Sequence, residues 1–250
     1  MDIPSGTAWP QGGSGAVPAG RFGGRESAPR RALGSVGFLL DSIRRRRAGR
    51  IALWSLVVAL TLGGIGLLAY PTVTGIWADR IQNGLEQEFQ ALTPNQAGDS
   101  YAVAPVEGDP VTRLQIPALG VDVIVVEGVT GNALRAGAGH FPDSALPGDP
   151  TGNVAIAGHR TGYGEPFRHL DKMKPGQRIH LVTPFGTFIY EVMKPFDGHG
   201  NPWITDPTDL TVKGRTAEPT LTLVTCDPPG TSKNRLILRA KLIDRVDGTT

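Results

Sequence analysis

The chain has 250 residues, enough for one or two domains, and its 25 basic and 23 acidic residues leave a net charge of +2. The basic residues form local clusters, so the sequence has no broad basic field of the kind that binds nucleic acid. A single cysteine, Cys226, excludes an internal disulfide and leaves three interpretations: a buried inert thiol, an intermolecular bridge or a nucleophile.

Most of the N-terminal segment, residues 1–36, is rich in Gly, Pro, Ala, Ser and Arg and shows no sustained hydrophobic period. Such a composition buries too little apolar surface to offset the entropy lost on ordering. We therefore predict a disordered cytoplasmic tail at residues 1–50, which ends in an arginine-rich juxtamembrane cluster at positions 44–47 and 50.

The next segment, residues 51–70, contains no charged side chain, and a helix of this length measures about 30 Å, enough to cross a bilayer. Arginines before this stretch and few cations just after it predict a cytoplasmic N-terminus and an extracellular remainder. A cleaved signal peptide fits less well, because Leu67-Leu68-Ala69 is a poor cleavage site. Residues 51–70 are thus predicted to be a transmembrane signal anchor of a single-pass cell-membrane protein.

After the anchor, apolar residues recur at spacings of three and four: Val73, Ile76, Trp77, Ile81, Leu85, Phe89 and Leu92. This pattern predicts an amphipathic helix that forms a stalk, lying either on the bilayer or against the following domain. Prolines at positions 94, 105 and 110 then indicate a linker. The extracytoplasmic stalk and linker together occupy residues 71–110.

Residues 111–250 consist of short runs rich in Val, Ile and Thr, which Gly and Pro interrupt. These runs predict strands near residues 112–116, 121–127, 153–157, 178–183, 187–196, 220–225 and 235–243. Short helical pieces are predicted near residues 132–136 and 165–172. Many short strands in one domain are typical of a mainly β fold, here a single closed β-barrel of about seven or eight strands. One transmembrane helix precedes this barrel.

A cysteine acts as a nucleophile when a base or cation holds its thiolate and a donor stabilises the oxyanion that forms. Cys226 ends a predicted strand. His159 stands directly after the predicted strand 153–157, where a site residue at the mouth of a barrel would lie. The remaining histidines are interpreted as structural or surface residues. They are His140, which is the strongest competitor, His169, His180 and His199.

Two arginines, Arg235 and Arg239, share one face of the predicted strand 235–243, because side chains alternate along a strand. Arg235 begins this strand and Cys226 ends the preceding one. If the two strands share a sheet, the loop between them brings both residues together, with Arg239 about 13 Å further along. An arginine on a strand is ordinarily a solvated charge, so spacing alone leaves both interpretations of Arg235 open.

Several stretches resemble the sortases, the membrane-anchored cysteine transpeptidases of Gram-positive bacteria. TLVTC at residues 222–226 is similar to the nucleophile strand of that family, and AGHR at residues 157–160 to the segment that bears its histidine. Arg235, nine residues after Cys226, matches the position of the family's active-site arginine. Together with the predicted anchor, these matches make the resemblance specific.

Other segments extend the resemblance over roughly residues 111–245. GHFP at residues 139–142, followed by LPG at residues 146–148, resembles a family segment whose histidine is not catalytic. GHRTGYGEPF at residues 158–167 is most similar to class E, the actinobacterial type. DPPG at residues 227–230 leaves class D open.

The resemblance implies that residues 111–250 are a sortase catalytic domain in which Cys226, His159 and Arg235 are catalytic. Cys226 would attack the Thr carbonyl of a C-terminal sorting signal of the LPXTG or LAXTG type and release the fragment that begins with Gly. An amine of a lipid II-like cell-wall precursor would then resolve the thioacyl-enzyme. His159 would exchange protons with both amines, and Arg235 would stabilise the oxyanion or hold the substrate backbone.

Two further residues are candidates for substrate binding. Thr225 either packs or donates to the substrate, and we favour packing with a lesser polar role. In the fold that the resemblance implies, residues 197–219 form the loop that lines the signal groove. Trp203 in this loop either contacts the substrate or anchors the loop.

The implied partners are surface proteins with a sorting signal, the precursor amine and the lipid bilayer, and nucleic acid is not among them. No cofactor is expected, and no His/Cys cluster has the spacing of metal ligands. The main alternative is a non-catalytic, membrane-tethered β-barrel binding module in which Cys226 is buried and inert. An L,D-transpeptidase fits less well, because no histidine lies between His199 and Cys226. A membrane scaffold that acts through the N-terminal tail is a third alternative.

Overall fold

A computed structural model describes three stretches of the chain: residues 47–94, 100–195 and 198–248. The disordered tail predicted for residues 1–50 lies outside the described residues except at positions 47–50. The chain divides into two compact units, Met1–Thr61 and Leu62–Thr250, and all the strands belong to the second.

The described residues contain nine β-strands in one sheet: β1 (Pro110–Ile116), β2 (Val121–Glu127), β3 (Ala138–His140), β4 (Asn153–Gly158), β5 (Arg178–Thr183), β6 (Gly186–Val192), β7 (Trp203–Thr205), β8 (Thr220–Asp227) and β9 (Asn234–Asp247). Their order is β6-β5-β1-β2-β3-β4-β8-β9-β7. Pairing of β6 with β9 closes eight strands into a barrel, and β7 pairs with β9 outside this closure. The predicted closed, mainly β barrel is confirmed.

Each of the seven predicted strands is present, as β1, β2, β4, β5, β6, β8 and β9. Strands β3 and β7 were not predicted, because three residues are too few to show an alternating pattern. The helical piece predicted near residues 132–136 is the 3₁₀ helix Ala133–Ala136. The prediction near residues 165–172 is wrong in extent: only Leu170–Lys172 is helical, because Glu165 (φ +49°) begins a turn rather than a helix.

Alternating side chains of β4, β8 and β9 build this part of the barrel core. The inward-facing residues of these strands are all at most 5% exposed: Val154, Ile156, Leu221, Leu223, Leu236, Leu238 and Ala240. Full burial of one aliphatic side chain contributes about 1.5–3 kcal/mol, so the inward set strongly resists a one-residue slip in register. The intervening residues, which include the candidate catalytic positions, face away from this core.

Helix α1 (Arg47–Gln90) has 44 residues, and its most apolar 18-residue window has a mean hydropathy of 2.2. It is long and apolar enough to cross a membrane, in agreement with the length and composition of the anchor predicted at residues 51–70. The helix predicted over residues 73–92 is a continuation of this same helix and ends at Gln90.

The C-terminal part of α1 packs on the barrel, which decides between the two positions that the sequence left open for the stalk. One apolar cluster joins the helix to β2 and to the 3₁₀ helix after it: Ile81, Leu85, Phe89, Ile124, Val126, Ala133 and Ala136. The amide nitrogen of Gln82 donates to the carbonyl oxygens of Ile124 and Ala136, at 2.9 and 2.7 Å. The amide oxygen of Gln82 accepts from the N–H of Ile124 at 2.7 Å. This part of the predicted stalk is therefore integral to the barrel unit.

Candidate active site

The register of three neighbouring strands aligns His159, Cys226 and Arg235 in one row. In the antiparallel pair of β8 and β9, Cys226 lies opposite Arg235. In the parallel pair of β4 and β8, Ala157 lies beside Val224. If the same register continues for two more residues, His159 lies beside Cys226. Neighbouring strands are about 4.8 Å apart, so the three positions lie close together at one end of the barrel.

The side chains of this row project from the outer face of the barrel wall. Leu223 and Leu236 belong to the buried core and lie an odd number of residues from Cys226 and Arg235, respectively. Because successive side chains of a strand point to opposite faces, Cys226 and Arg235 face outwards. His159 continues the same alternation beyond the end of β4.

The thiol of Cys226 is free and partly exposed near the end of β8. Thr225, directly before it, is 2% exposed, and its hydroxyl donates to the carbonyl oxygen of Gly158 at 2.8 Å. This hydrogen bond ties β8 to β4 immediately before Cys226 and His159. The placement of Thr225 favours packing over direct contact with a substrate.

His159 is partly buried, and this desolvation lowers the pKa of its imidazole. The ring stacks on Tyr163, with centroids 5.0 Å apart and planes inclined by 30°. The backbone N–H of His159 donates to Gly137 at 3.3 Å, and its carbonyl accepts from Phe167 at 3.1 Å. Gly158 permits the close approach of Phe167, because a Cβ atom there would lie 2.6 Å from the phenyl ring. The imidazole is thus held in place while its charged form is disfavoured.

The turn that carries Tyr163 rests against α1. Tyr163 has a φ of +50°, a left-handed conformation that is uncommon for a residue other than glycine. A Cβ atom at Gly162 would lie 3.6 Å from Oγ1 of Thr74, and one at Gly164 would lie 3.7 Å from Cβ of Ala78. Thr74 and Ala78 are both buried. The helix therefore supports the turn whose aromatic ring packs on His159.

The two candidate arginines have different surroundings. Arg235 is partly buried, and its Nη1 donates to the carbonyl oxygens of Ser232 and Asn234, both at 3.1 Å. Arg239 lies opposite Thr222 in the register, donates from Nε to the Thr222 hydroxyl at 3.2 Å, and places its guanidinium 5.6 Å from the ring centre of Trp203. The strand alternation predicted for the two arginines is present, and Arg235 is the one level with Cys226.

An apolar patch lies beside the row on the outer face of β8 and β9. It contains buried and partly buried residues from five segments: Phe141, Trp203, Val212, Val224 and Ile237. The described part of the predicted groove loop, residues 198–219, contributes β7 and the 3₁₀ helix Leu210–Lys213 to this side of the barrel. Trp203 pairs with Ile237, so this residue lies in the strand that fixes the loop along β9. Contact of Trp203 with a substrate stays a prediction.

His140, the competing histidine, is enclosed in the barrel wall. Its ring is 1% exposed, with Nδ1 2.8 Å from a carboxylate oxygen of Glu127. Its Nε2 lies 2.9 Å from both the carbonyl oxygen of Ala145 and the hydroxyl oxygen of Ser144. Both ring nitrogens are thus engaged with protein groups, which agrees with the structural role predicted for His140.

One charged cluster at the row was not assigned from the sequence. Arg160 follows His159 and forms an ion pair with Asp227, which follows Cys226, and a second one with Asp171 at 3.1 Å. The opposite charges beside the two motif residues are visible in the sequence, but their pairing depends on the register of β4 and β8. Among the described residues, no three His, Cys, Asp or Glu side chains are grouped so that they could hold a metal ion.

Comparisons with known proteins agree with this geometry. The sortase domain family matches residues 114–243. Sortase SrtE1 of Streptomyces coelicolor is 28% identical over 235 residues, which are 88% of this chain and 65% of that protein. This chain therefore spans less than two thirds of the length of that relative.

Two solved structures are similar in fold and sequence. A Sortase D5 transpeptidase of Clostridium perfringens has a TM-score of 0.55 and 30% identity, over 66% of this chain and 98% of that one. Sortase E1 of Streptomyces coelicolor, solved with a tripeptide in its active site, has a TM-score of 0.50 and 31% identity, over 58% and 94%. Relatives of both class E and class D occur, as the sequence motifs indicated.

Proposed function

The chain belongs to the sortase family, whose domain matches more than half of its length, and we propose that it is a membrane-anchored cysteine transpeptidase. The observation that carries the proposal is the row formed by Cys226 on β8, Arg235 on β9 and His159 directly after the end of β4. A thiol, an imidazole and a guanidinium at neighbouring positions supply a nucleophile, a proton carrier and an oxyanion stabiliser. The partly exposed thiol of Cys226 argues against an inert core cysteine in a binding module.

In the proposed reaction, the thiolate of Cys226 attacks the Thr carbonyl carbon of an LPXTG-like or LAXTG-like sorting signal. Arg235 stabilises the negative charge that develops on the carbonyl oxygen. The bond between Thr and Gly breaks, His159 protonates the leaving amine, and the Thr carbonyl remains on sulfur as a thioester. An amine of a cell-wall precursor then attacks the thioester, gives its proton to His159 and restores the thiolate as the C–S bond breaks.

The surroundings of the row support an extended peptide as the substrate. Beside Cys226 on the outer face, Val212, Val224 and Ile237 form a buried apolar cluster, and only Phe141 and Trp203, which pack on it and are partly exposed, offer contacts for apolar residues of a signal. Helix α1 anchors the enzyme, with the arginine-rich N-terminal segment on the cytoplasmic side and the catalytic domain outside. The partners are surface proteins that carry the signal and a lipid II-like amine.

A peptide assay tests the proposed function directly. The full chain in detergent micelles is incubated with LAXTG and LPXTG peptides and with glycine or diaminopimelate as the amine, because part of α1 packs on the barrel. We expect cleavage between Thr and Gly and a product joined to the amine, both detected by mass spectrometry, with the LAXTG peptide preferred. If the folded enzyme leaves both peptides intact, the proposed function is wrong.

The two arginines form a matched pair for a second prediction. Arg235→Lys should lower kcat by roughly 100-fold, because a lysine lacks the planar fork and loses part of the oxyanion stabilisation. Arg239→Lys, on the same strand but level with Thr222, should cause a much smaller loss. Steady-state kinetics of both variants measure the difference. A larger loss in Arg239→Lys would mean that the oxyanion lies elsewhere along β9.

A further inference from the structure

Arg160 joins three segments of the protein around the proposed catalytic pair. Its side chain is only 7% exposed. Its Nη1 donates to the backbone carbonyl oxygen of Cys226 at 3.3 Å and forms the ion pair with Asp227. Its Nη2 lies 3.1 Å from a carboxylate oxygen of Asp171, just before the end of the 3₁₀ helix Leu170–Lys172. The guanidinium of Arg160, the residue directly after His159, therefore contacts the backbone of Cys226.

The connection lies where strand pairing no longer holds the two chain segments. The register between β4 and β8 ends at Ala157 and Val224. Beyond that point the described contacts between the two strands are made by side chains. Thr225 bonds to the carbonyl of Gly158 on the core side, and Arg160 bonds at Cys226 and Asp227. His159 and Cys226 thus lie between two side-chain ties.

Stability alone does not account for this arrangement. Burying the guanidinium of Arg160 beside the largely buried Asp227 is costly, and an apolar side chain of similar volume is often equally or more stabilising. The Nε of Arg160 is also buried without a hydrogen-bond partner among the described residues. What a buried arginine supplies is orientation, because its planar fork holds carboxylate and carbonyl oxygens in fixed directions.

We propose that Arg160 is a positioning residue, which keeps the imidazole of His159 aligned with the sulfur of Cys226. The proposal rests on the proposed function, since it assigns the role through those two residues. Arg160 does not exchange a proton with the substrate; it sets the separation of the two groups that react. A misplacement of about 1 Å in such a pair costs roughly 100-fold in rate.

The matched control is Arg113, which also pairs with two carboxylates but lies on β1, three strands from β4 in the sheet. Its Nε is 2.6 Å from Asp122 and its Nη1 is 2.9 Å from Glu86. Arg160→Met and Arg113→Met therefore each remove a guanidinium that pairs with two carboxylates, although Arg113 is the more exposed of the two (32% against 7%). Both variants and the wild type are assayed as full chains for kcat, KM, thermal unfolding and the pH profile of Cys226 alkylation by iodoacetamide.

We expect Arg160→Met to lower kcat roughly 10- to 100-fold with little change in KM, and Arg160→Lys to fall between it and the wild type. The pH profile of Cys226 alkylation should also shift in Arg160→Met, because the imidazole of His159 is no longer held in a fixed position relative to the thiol. Arg113→Met should keep the wild-type kcat. If Arg160→Met folds poorly, Asp171→Asn removes the more exposed partner and should lower kcat by a few-fold without loss of folding.

The experiment distinguishes failure of the role proposed for Arg160 from failure of the proposed function. If the wild type forms no acyl adduct, the proposed function itself is wrong. If the wild type is active and Arg160→Met loses only thermal stability, with kcat and the alkylation profile unchanged, Arg160 is merely structural and the inference fails. An equal loss of kcat in Arg113→Met would also overturn it.

Discussion

Cys226→Ala is expected to abolish turnover of a sorting-signal peptide, by roughly 10⁴-fold or more, because no other group replaces the nucleophile. Mass spectrometry of the wild type with the peptide should show an acyl adduct on Cys226, and the variant should show none. The assignment of the adduct is direct, because the chain has one cysteine. The substitution removes a single atom from a partly exposed side chain, so the fold should be retained.

The same experiment separates the enzyme from the binding module. A non-catalytic barrel would turn over no peptide, and a buried inert thiol would react slowly with iodoacetamide. A catalytic Cys226 should react readily and lose this reactivity once it is acylated by the peptide. Unchanged turnover in Cys226→Ala would reject the nucleophile and, with it, the proposed mechanism.

His159→Ala should reduce transpeptidation by roughly 10³-fold or more, because both the leaving and the incoming amine lose their proton carrier. His140→Ala is the matched control from the other histidine at a motif position. Removing His140 leaves the buried side chain of Glu127 without the hydrogen bond to the ring, which costs about 1–3 kcal/mol of stability. Its remaining folded fraction should still be active. The opposite ranking of the two variants would show that His140, and not His159, carries the proton.

The pH profile tests the same residue in another way. Burial lowers the pKa of His159, so its ring takes up a proton at a lower pH than an exposed histidine does. Because His159 must also hold the proton that it gives to the leaving amine, the limb belongs to the Cys226–His159 pair and not to the ring alone, and we expect the acidic limb of kcat/KM to lie below the usual pKa of histidine. Tyr163→Ala removes the stacked ring and exposes the imidazole, which should move this limb to higher pH. An acidic limb that stays in place would argue that His159 does not set it.

The sequence predicted the long strands of the barrel but neither its shortest strands nor the surface that the stalk helix contacts. Seven strands have enough residues to show alternation or a continuous β-branched run, and all seven are present. Strands β3 and β7 have three residues each, and they form because the neighbours β2, β4 and β9 offer unpaired edges. The sequence showed an amphipathic stalk but could not decide what its apolar face contacts, since a bilayer and a barrel wall bury the same side chains.

Local sequence was sufficient to indicate an apolar anchor and, together with the resemblance of its motifs to the sortases, to nominate Cys226, His159 and Arg235, because motifs, alternation and an uncharged apolar run are properties of neighbouring residues. The folded barrel was needed to show that these positions share one row, that α1 supports the turn at Tyr163, and that Arg160 reaches across to Cys226. Those contacts join residues far apart in the chain, such as Arg160 and Cys226, which are 66 positions apart. Strand register sets them, and register follows from the packing of the whole core.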